Sequence, residues 1–237
     1  MKGELLYEGK AKQVFQAESN NDQLVLSYKN DATAFNGEKK AVFSGKGKYN
    51  NLISARVFDY LREKGIPSHF VRSLNDSEQL VEKTTIIPVE IVVRNLAAGS
   101  ITRRLGIEEK TVFTPPLVEL FYKQDELGDP LINDEHAMML ADVEQVELKQ
   151  IKAMALEVNK HLQAFFENIN LKLADFKLEF GRNKAGDIIL SDEVSPDTCR
   201  LWDKDSGAKM DKDVFREDLG DLLQVYNTIL QRLEAAV

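Results

Sequence analysis

One segment of the chain places two carboxylates and an amine on the same side of a strand. In residues 175–181 polar and apolar side chains alternate, so Asp175, Lys177 and Glu179 share one face. Neighbouring members of this set are about 7 Å apart at a rise of ~3.3–3.4 Å per residue. The polar residues that follow favour a turn, which predicts a hairpin with the run 188–193.

The predicted hairpin brings another carboxylate towards Glu179. If the turn centres between Ala185 and Gly186, Glu179 lies opposite Asp192. Two facing carboxylates repel each other unless a cation lies between them. The pair is therefore a candidate magnesium site with the amine of Lys177 beside it. A strand with alternating charges is also a common solvated surface, and a register shift of one residue would turn Asp192 away.

A glycine followed by two lysines forms a second candidate site. Gly9 precedes Lys10, Ala11 and Lys12, between two runs with strand character. Two lysines at this spacing on a strand point the same way, and glycine lets a ligand approach the backbone closely. The pattern suits a phosphate, although surface hairpins often carry the same residues. The chain contains no Walker A motif and no G-x-G-x-x-G motif.

A third candidate site lies where a predicted strand leads into a short helix. Gly99 and Ser100 open the predicted helix 100–105, and Ser100 is a good N-cap that leaves N–H groups free for an anion. Arg94, at the end of the preceding strand, adds a bidentate donor. Arg200 lies in a proline-containing loop after the hairpin. An ordinary capped helix beside a surface arginine fits the same residues.

Composition limits the classes of function. The 237 residues are 43% hydrophobic and 30% charged with a net charge of −8, which argues against general nucleic-acid binding. No signal peptide or membrane-spanning run is recognisable, so a reducing cytoplasm is expected. Cys199 is the only cysteine and is interpreted as a small filler residue. The spacing of His69, His136 and His161 does not match a histidine metal site.

Strand patterns dominate the first part of the chain and helical patterns the rest, which favours an α+β fold. Pro88 lies inside an apolar run, which indicates an edge strand or a crossing between lobes. The predicted strands are 5–9, 11–15, 23–28, 69–74, 79–83 and 86–93, and the predicted helices are 51–64, 100–105, 143–168 and 213–235.

Together these segments resemble one family, the SAICAR synthetases (phosphoribosylaminoimidazole-succinocarboxamide synthases) of purine biosynthesis. The resemblance spans about residues 5–230, and its motifs, in family order, are 7–12, 30–37, 88–95, 98–100, 129–134, 175–181, 192–197 and 200–203. It implies a two-lobed α+β enzyme with ATP in a cleft. The β-rich N-terminal lobe would comprise residues 1–85 and the mixed α/β lobe residues 86–237.

The resemblance also implies the reaction. ATP and Mg²⁺ would drive condensation of L-aspartate with the carboxylate of carboxyaminoimidazole ribonucleotide (CAIR), giving SAICAR, ADP and phosphate, with an acyl phosphate expected on the way. Members of the family are often oligomeric and commonly dimeric in bacteria, so a homodimer is expected.

The resemblance assigns an expected role to each candidate residue. The catalytic set, in which Glu179 and Asp192 would hold the metal, is Asp175, Lys177, Glu179 and Asp192. The ATP-binding set, with the valines and the isoleucine against adenine, is Gly9, Lys10, Ala11, Lys12, Val14, Val25, Ile86, Val89 and Lys123. The substrate-binding set, in which the loop 31–37 would hold aspartate, is Arg94, Ser100, Arg200, Asp31, Asn36 and Gly37.

Two other functions are compatible with parts of this pattern. A small-molecule kinase could use the same cleft, but it would need a hydroxyl acceptor and would release a stable phosphorylated product. A non-catalytic nucleotide-binding module would keep Lys10 and Lys12 but would need neither the Glu179–Asp192 pair nor the two arginines.

Overall fold

The computed structural model describes residues 2–34 and 38–236, which form a mixed α+β fold. The strands are β1 Lys2–Glu8, β2 Lys12–Ala17, β3 Gln23–Tyr28, β4 Asp31–Ala34, β5 Lys39–Val42, β6 Phe70–Asn75, β7 Glu78–Glu82, β8 Thr85–Leu96, β9 Val112–Tyr122, β10 Leu131–Ile132, β11 Leu171–Arg182, β12 Ile188–Leu190 and β13 Cys199–Asp203. The helices are α1 Lys46–Glu63, α2 Ser100–Leu105, α3 Asp134–Leu140, α4 Gln145–Glu167, α5 Asp213–Arg216 and α6 Leu222–Ala235.

The first sheet contains five antiparallel strands in the order β1-β2-β3-β7-β6. Its central strand, β3, is apolar on both faces. Val25 packs with Ala17 and Leu80 on one face, while Leu26 packs with Val81 on the other. A strand that is apolar on both sides gives no sequence signal for which face meets a ligand.

The second sheet has the order β10-β9-β8-β11-β12, and β13 also pairs with β11. On β11, Phe176, Leu178 and Phe180 belong to the main hydrophobic core, where α4 packs against the sheet. Full burial of each such side chain contributes ~1.5–3 kcal/mol. The alternation within β11 is therefore as predicted, and core packing holds the opposite, charged face in place.

Pro88 lies inside a central strand, so its interpretation as an edge residue is wrong. Strand β8 pairs with β9 on one side and β11 on the other. Between the pairs Glu90–Glu179 and Ile86–Gly181 the register of β8 and β11 shifts at a bulge. A proline, which has no N–H group for the ladder, is tolerated there because the bulge already interrupts the pairing.

The β11–β12 hairpin forms in a register one residue away from the predicted one. Phe180 pairs with Leu190, and Asn183 closes the turn by donating its N–H to the Asp187 carbonyl at 3.0 Å. The shift does not turn Asp192 away, because β12 ends at Leu190. Beyond that point the pleat no longer sets the direction of the side chain.

The C-terminal region contains two helices instead of the single predicted helix 213–235. The residues between α5 and α6 include Asp218 at φ +56° and Gly220 at φ +152°, which helical geometry does not allow. Asp221 then caps α6 by accepting hydrogen bonds from two backbone N–H groups. Residues 143–168, predicted as one helix, contain α4. The elements that were not predicted are α3, β4, β5, β9, β10 and β13.

Helix α1 begins at Lys46, five residues before its predicted start. The Asn30 side chain accepts hydrogen bonds from the N–H groups of Gly45 and Gly47 and so fixes the entry to the helix. None of the helices in residues 2–34 and 38–236 combines the length and the apolar character that a membrane crossing requires.

Candidate active site

A cleft of about 1030 Å³ is lined by residues of both large sheets. Most of the predicted site residues line it, and they are Gly9, Lys10, Ala11, Lys12, Val14, Ile86, Arg94, Ser100, Lys123, Asp175, Lys177, Glu179, Asp192 and Arg200. The structure thus brings together segments that are far apart in the sequence.

Two residues predicted to contact adenine do not line the cleft. Val25 and Val89 are buried in apolar clusters on the opposite faces of their strands. Their neighbours Leu24, Leu26 and Glu90 line the cleft instead. Successive residues of a strand point to opposite faces, and both faces of β3 are apolar, so the sequence does not show which face of β3 meets the cleft. On β8 the charged residues Glu90 and Arg94 mark the cleft face.

The predicted aspartate loop is only partly represented in the cleft. Asp31 does not line it, and its carboxylate lies 3.6 Å from the Lys29 amine. Thr33, two residues further on, does line it. Asn36 and Gly37 lie outside the described residues.

Lys177 lies at the centre of a group of carboxylates. Its Nζ atom is 2.7 Å from Glu90 Oε1, 2.8 Å from Glu179 Oε1 and 3.8 Å from Asp192 Oδ2. Burial opposes the charged form, but the three carboxylates outweigh it and raise the pKa of Lys177 well above its usual value. Lys123 pairs with the other oxygen of Glu179. Lys177 therefore stays protonated and faces all three carboxylates.

Lys12 forms a second ion-paired centre beside the first. It pairs with Asp192 and lies 3.1 Å from Glu193 Oε1. Burial disfavours ionisation of Asp192, yet Lys12 and Lys177 outweigh it and hold the pKa of Asp192 far below its usual value. Burial and the charge of Lys12 lower the pKa of His69, which also lines the cleft, to about 3.

The turn that carries Gly9 and Lys10 is more exposed than the ion-paired centres of Lys12 and Lys177. The N–H of Gly9 donates to the Lys12 carbonyl at 2.8 Å, which closes the turn between β1 and β2. Lys10 is half exposed and pairs with Asp125 across the cleft mouth at 2.8 Å. Lys10 is thus free to change partner at low cost, because an exposed ion pair of this kind contributes only ~0–1 kcal/mol.

Two residues before Lys177 on β11, Asp175 joins two arginines in a second cluster. Asp175 accepts from Arg94 at 2.6 Å and from Arg200 at 3.0 Å. Arg94 Nη2 also donates to Ser100 Oγ at 3.4 Å. Gly99, at φ +65°, passes so close to Arg200 that an added Cβ would collide with the guanidinium. Two fixed guanidinium groups beside a helix start suit a phosphate dianion.

Sequence reasoning missed several charged residues of the cleft. Glu90, Glu193, Asp197, Lys212 and Arg216 all line it. Glu90 could have been found, because it shares the alternating face of β8 with Arg94. The other four lie in loops or at the ends of a four-residue helix, where no periodicity indicates which way a side chain points.

Behind the cleft wall, a fully buried lysine holds one of these residues. Lys46 Nζ donates to Asp197 Oδ2 at 2.5 Å, and the Tyr226 hydroxyl donates to Asp197 Oδ1 at 2.5 Å. Lys46 begins α1 and Tyr226 belongs to α6, so this contact fixes the loop after the hairpin to both helices.

The donor set for a metal consists of oxygen ligands. Within the described ranges no three His, Cys, Asp or Glu residues are arranged to hold a metal ion on their own. Glu179 and Asp192 provide two carboxylates that contact the same lysine. This fits Mg²⁺, which takes one or two carboxylates and completes its shell with water and substrate phosphates.

The Cys199 thiol is buried, and burial raises its pKa above the usual value. It therefore stays protonated, which agrees with the interpretation of Cys199 as a filler residue.

The sequence is similar to known proteins of one family. The SAICAR synthetase family model matches residues 5–233. A phosphoribosylaminoimidazole-succinocarboxamide synthase from Oceanobacillus iheyensis is 64% identical over 237 residues, which covers 100% of each chain.

Solved structures show the same fold. A type-2 SAICAR synthetase in complex with ADP superposes with a TM-score of 0.93 at 47% identity, covering 96% of each chain. The phosphoribosylaminoimidazole-succinocarboxamide synthase of Ehrlichia chaffeensis gives a TM-score of 0.94 at 43% identity, covering 98% of this chain and 99% of its own. These matches confirm the fold class predicted from the sequence, and the chain belongs to the SAICAR synthetase family.

Proposed function

We propose that the cleft joins L-aspartate to CAIR through an acyl phosphate. As a SAICAR synthetase, the chain is an ATP-dependent carbon–nitrogen ligase of purine biosynthesis. The observation that carries the proposal is the presence in one cleft of a Lys177-centred carboxylate group and an arginine pair on Asp175.

The chemistry explains why both groups are needed. A carboxylate is a poor acyl donor, so its oxygen first attacks the γ-phosphorus of ATP, and the bond to ADP breaks. The aspartate amine, after loss of one ammonium proton, attacks the acyl carbon. The carbon–oxygen bond then breaks, phosphate leaves, and the nitrogen loses a second proton to give the amide. Every reactant is anionic, so positioned cations must offset their repulsion.

In this proposal the lysines bind the phosphates of ATP. Lys10 and Lys12, with the backbone at Ala11, hold the phosphate tail, and Lys177 neutralises charge at the transferred phosphoryl group. Lys123, which also lines the cleft, would contact the nucleotide as well. The apolar side chains of Val14 and Ile86, together with Leu24 and Leu26, would line the adenine; both pairs lie in the cleft.

Glu179 and Asp192 are proposed to hold Mg²⁺, which when bound screens the phosphate charges. Lys12 and Lys177 outweigh burial and hold the pKa of Asp192 far below its usual value, so this carboxylate is ionised and can bind a metal. Substitution of either carboxylate by its amide should raise the Mg²⁺ concentration needed for half-maximal activity.

The arginine cluster is proposed to bind the nucleotide substrate. Arg94 and Arg200 would grip its 5′-phosphate with Ser100, and Asp175 would lie near the imidazole. Asp175 and Lys177 are two residues apart on β11, which separates them by about 7 Å along the strand. That spacing separates a phosphate site from a reaction centre, as an extended nucleotide requires.

The organisation of the chain is part of the proposal. The proposed lobes are residues 1–85 and 86–237, and the change from the first large sheet to the second, between β7 and β8, lies next to this boundary, although α1 packs in the core of the second sheet. A homodimer acting in the cytoplasm is proposed from the family resemblance, and sedimentation equilibrium of the purified protein tests the dimer.

The decisive experiment measures ADP release with ATP, Mg²⁺ and CAIR, with and without L-aspartate, while the ultraviolet spectrum follows the product. ADP and SAICAR formed in equal amounts and only with aspartate would establish the ligase. ADP release that is indifferent to aspartate would favour a kinase. Bound ATP without turnover would favour a binding module.

A further inference from the structure

We propose that Lys212 and Arg216, at the two ends of α5, bind the two carboxylates of L-aspartate. The inference rests on the proposed function. It gives L-aspartate a binding site, because the loop 31–37 predicted to bind this substrate contains no lysine or arginine.

The described part of the cleft contains more cationic side chains than ATP and the nucleotide phosphate use in the proposed function. The lysines and arginines that line it are Lys10, Lys12, Arg94, Lys123, Lys177, Arg200, Lys212 and Arg216. The proposed function uses the first six for ATP and for the nucleotide phosphate. L-aspartate brings two further carboxylates, and Lys212 and Arg216 are the lysine and arginine residues of the described cleft to which the proposed function gives no role.

Lys212 has hydrogen-bonding capacity left for a ligand. Its amine lies 3.4 Å from Asp197, but that carboxylate already accepts from Lys46 and Tyr226 at 2.5 Å each. Burial, helped by the charges of Lys46 and Arg216, lowers the pKa of Lys212. A buried ammonium with too little negative charge around it is stabilised by an incoming anion.

Arg216 is held at one end and open at the other. One of its terminal nitrogens donates to Asp213 Oδ1 at 2.5 Å, and the side chain is 27% exposed. The remaining N–H groups of its planar fork can bind a carboxylate in a bidentate manner. The second oxygen of Asp213 accepts from Arg200 at 2.8 Å. A single buried carboxylate therefore fixes the proposed nucleotide-phosphate grip and the proposed aspartate grip relative to each other.

The hairpin of β4 and β5 forms the wall next to this site. Phe43, just after β5, packs edge-on against Phe215 of α5 with ring centroids 5.6 Å apart, and Ala32 belongs to the same cluster. Thr33 of this hairpin lines the cleft. The loop predicted to bind aspartate is thus adjacent to α5, while its only described acidic residue, Asp31, is unsuited to an anionic substrate.

The test compares Arg216→Gln with Lys209→Gln, which changes a lysine outside the cleft that pairs with Glu217 at 2.6 Å. In Arg216→Gln the KM for L-aspartate should rise about 10- to 100-fold, the factor expected for a lost hydrogen bond to a charged group. The KM for CAIR should change less than about threefold, and Lys209→Gln should leave both values unchanged. Arg216→Lys should recover part of the affinity for aspartate, because it restores the charge without the fork.

A second readout uses L-asparagine, which carries an amide in place of the side-chain carboxylate. The preference for aspartate over asparagine, as a ratio of kcat/KM values, should fall in Arg216→Gln or in Lys212→Gln, because one of the two binds that carboxylate. A rise in the KM for CAIR alone, or unchanged preference in both variants, would overturn the inference. If the unmodified protein makes no SAICAR, the proposed function fails instead, and the two failures are thereby distinguished.

Discussion

Arg94 and Asp175 face each other across the paired strands β8 and β11, and Arg94 Nη1 donates to Asp175 Oδ2 at 2.6 Å. Both side chains are almost completely buried. Asp175 also accepts from Arg200, so one carboxylate balances part of two guanidinium charges. Arg94 also donates to Glu119 at 2.6 Å and Arg200 to Asp213 at 2.8 Å, so three carboxylates orient the two arginines, and Asp175 is the one that both arginines share.

Replacement of Asp175 by asparagine should therefore lower the free energy of unfolding by about 3 kcal/mol or more, as expected when one partner of a buried ion pair is removed. Urea denaturation measures this loss. The control is Asp187→Asn, an exposed carboxylate in the turn that ends the same strand, which should change stability by less than about 0.5 kcal/mol. Equal stabilities of the two variants would contradict a structural role for Asp175.

Replacement of Lys177 by methionine should reduce kcat about 10²- to 10³-fold, the loss typical of a group that stabilises transition-state charge. The dissociation constant for ATP should change only a few-fold, because Lys10 and Lys12 remain. Equilibrium binding of ATP and steady-state rates of SAICAR formation separate these effects. Lys172→Met changes an exposed lysine of the same strand and should behave like the unmodified protein. Near-normal turnover of Lys177→Met would show that its assigned role is wrong.

The polar face of β11 could be predicted because its sequence is unambiguous. Phenylalanines and a leucine alternate with Asp175, Lys177 and Glu179, so only one face can enter the core. For Val25 the same reasoning failed, because β3 is apolar on both faces. For Val89 the signal was present, because Glu90 and Arg94 mark the other face of β8 as the polar one.

The loop-borne part of the site could not be predicted, for a different reason. Asp213 and Arg216 occupy a stretch whose apolar residues continue the helical spacing of α6, although Gly220 and Asp221 are local signals of a break between the two helices. Their position in the cleft depends on contacts with Arg200 and with the β4–β5 hairpin, which are distant in sequence. Periodicity reports only local geometry, so long-range contacts of this kind stay hidden.

Asp211 should make stability depend on pH near neutrality. Burial and the neighbouring Asp213 raise the pKa of Asp211 to about 7. An aspartate in the unfolded chain has a pKa of about 3.9, so between about pH 4 and 7 the folded protein holds a proton that the unfolded chain has lost. The free energy of unfolding contributed by this group therefore falls as pH rises through that window, by up to about 1.4 kcal/mol per unit.

Urea denaturation at intervals from pH 5 to 8 tests this, because Asp211→Asn removes the titrating group and should flatten the decline. Asp211 accepts hydrogen bonds from the backbone N–H groups of Leu201 and Asp213, and an asparagine can accept only one of them. Because this loss changes stability at every pH, the readout is the slope of the free energy of unfolding against pH. Asp218→Asn, an exposed carboxylate after α5, serves as the control. If Asp211→Asn keeps the slope of the unmodified protein, a different group causes the pH dependence.

Gly99→Ala should impair nucleotide binding beyond its effect on stability. Gly99 and Gly106 both have φ +65°, but Gly106 is in the left-handed helical region, where an alanine costs about 1–2 kcal/mol, whereas Gly99 has ψ −127°, a conformation that residues with a Cβ rarely adopt. A Cβ at Gly106 meets nothing within 4 Å, whereas a Cβ at Gly99 collides with the Arg200 guanidinium and must displace it from Asp175. Both variants should lose stability, but only Gly99→Ala should raise the KM for CAIR, by about tenfold or more. A similar rise in Gly106→Ala would show that backbone strain in α2, and not the position of Arg200, sets the affinity for the nucleotide.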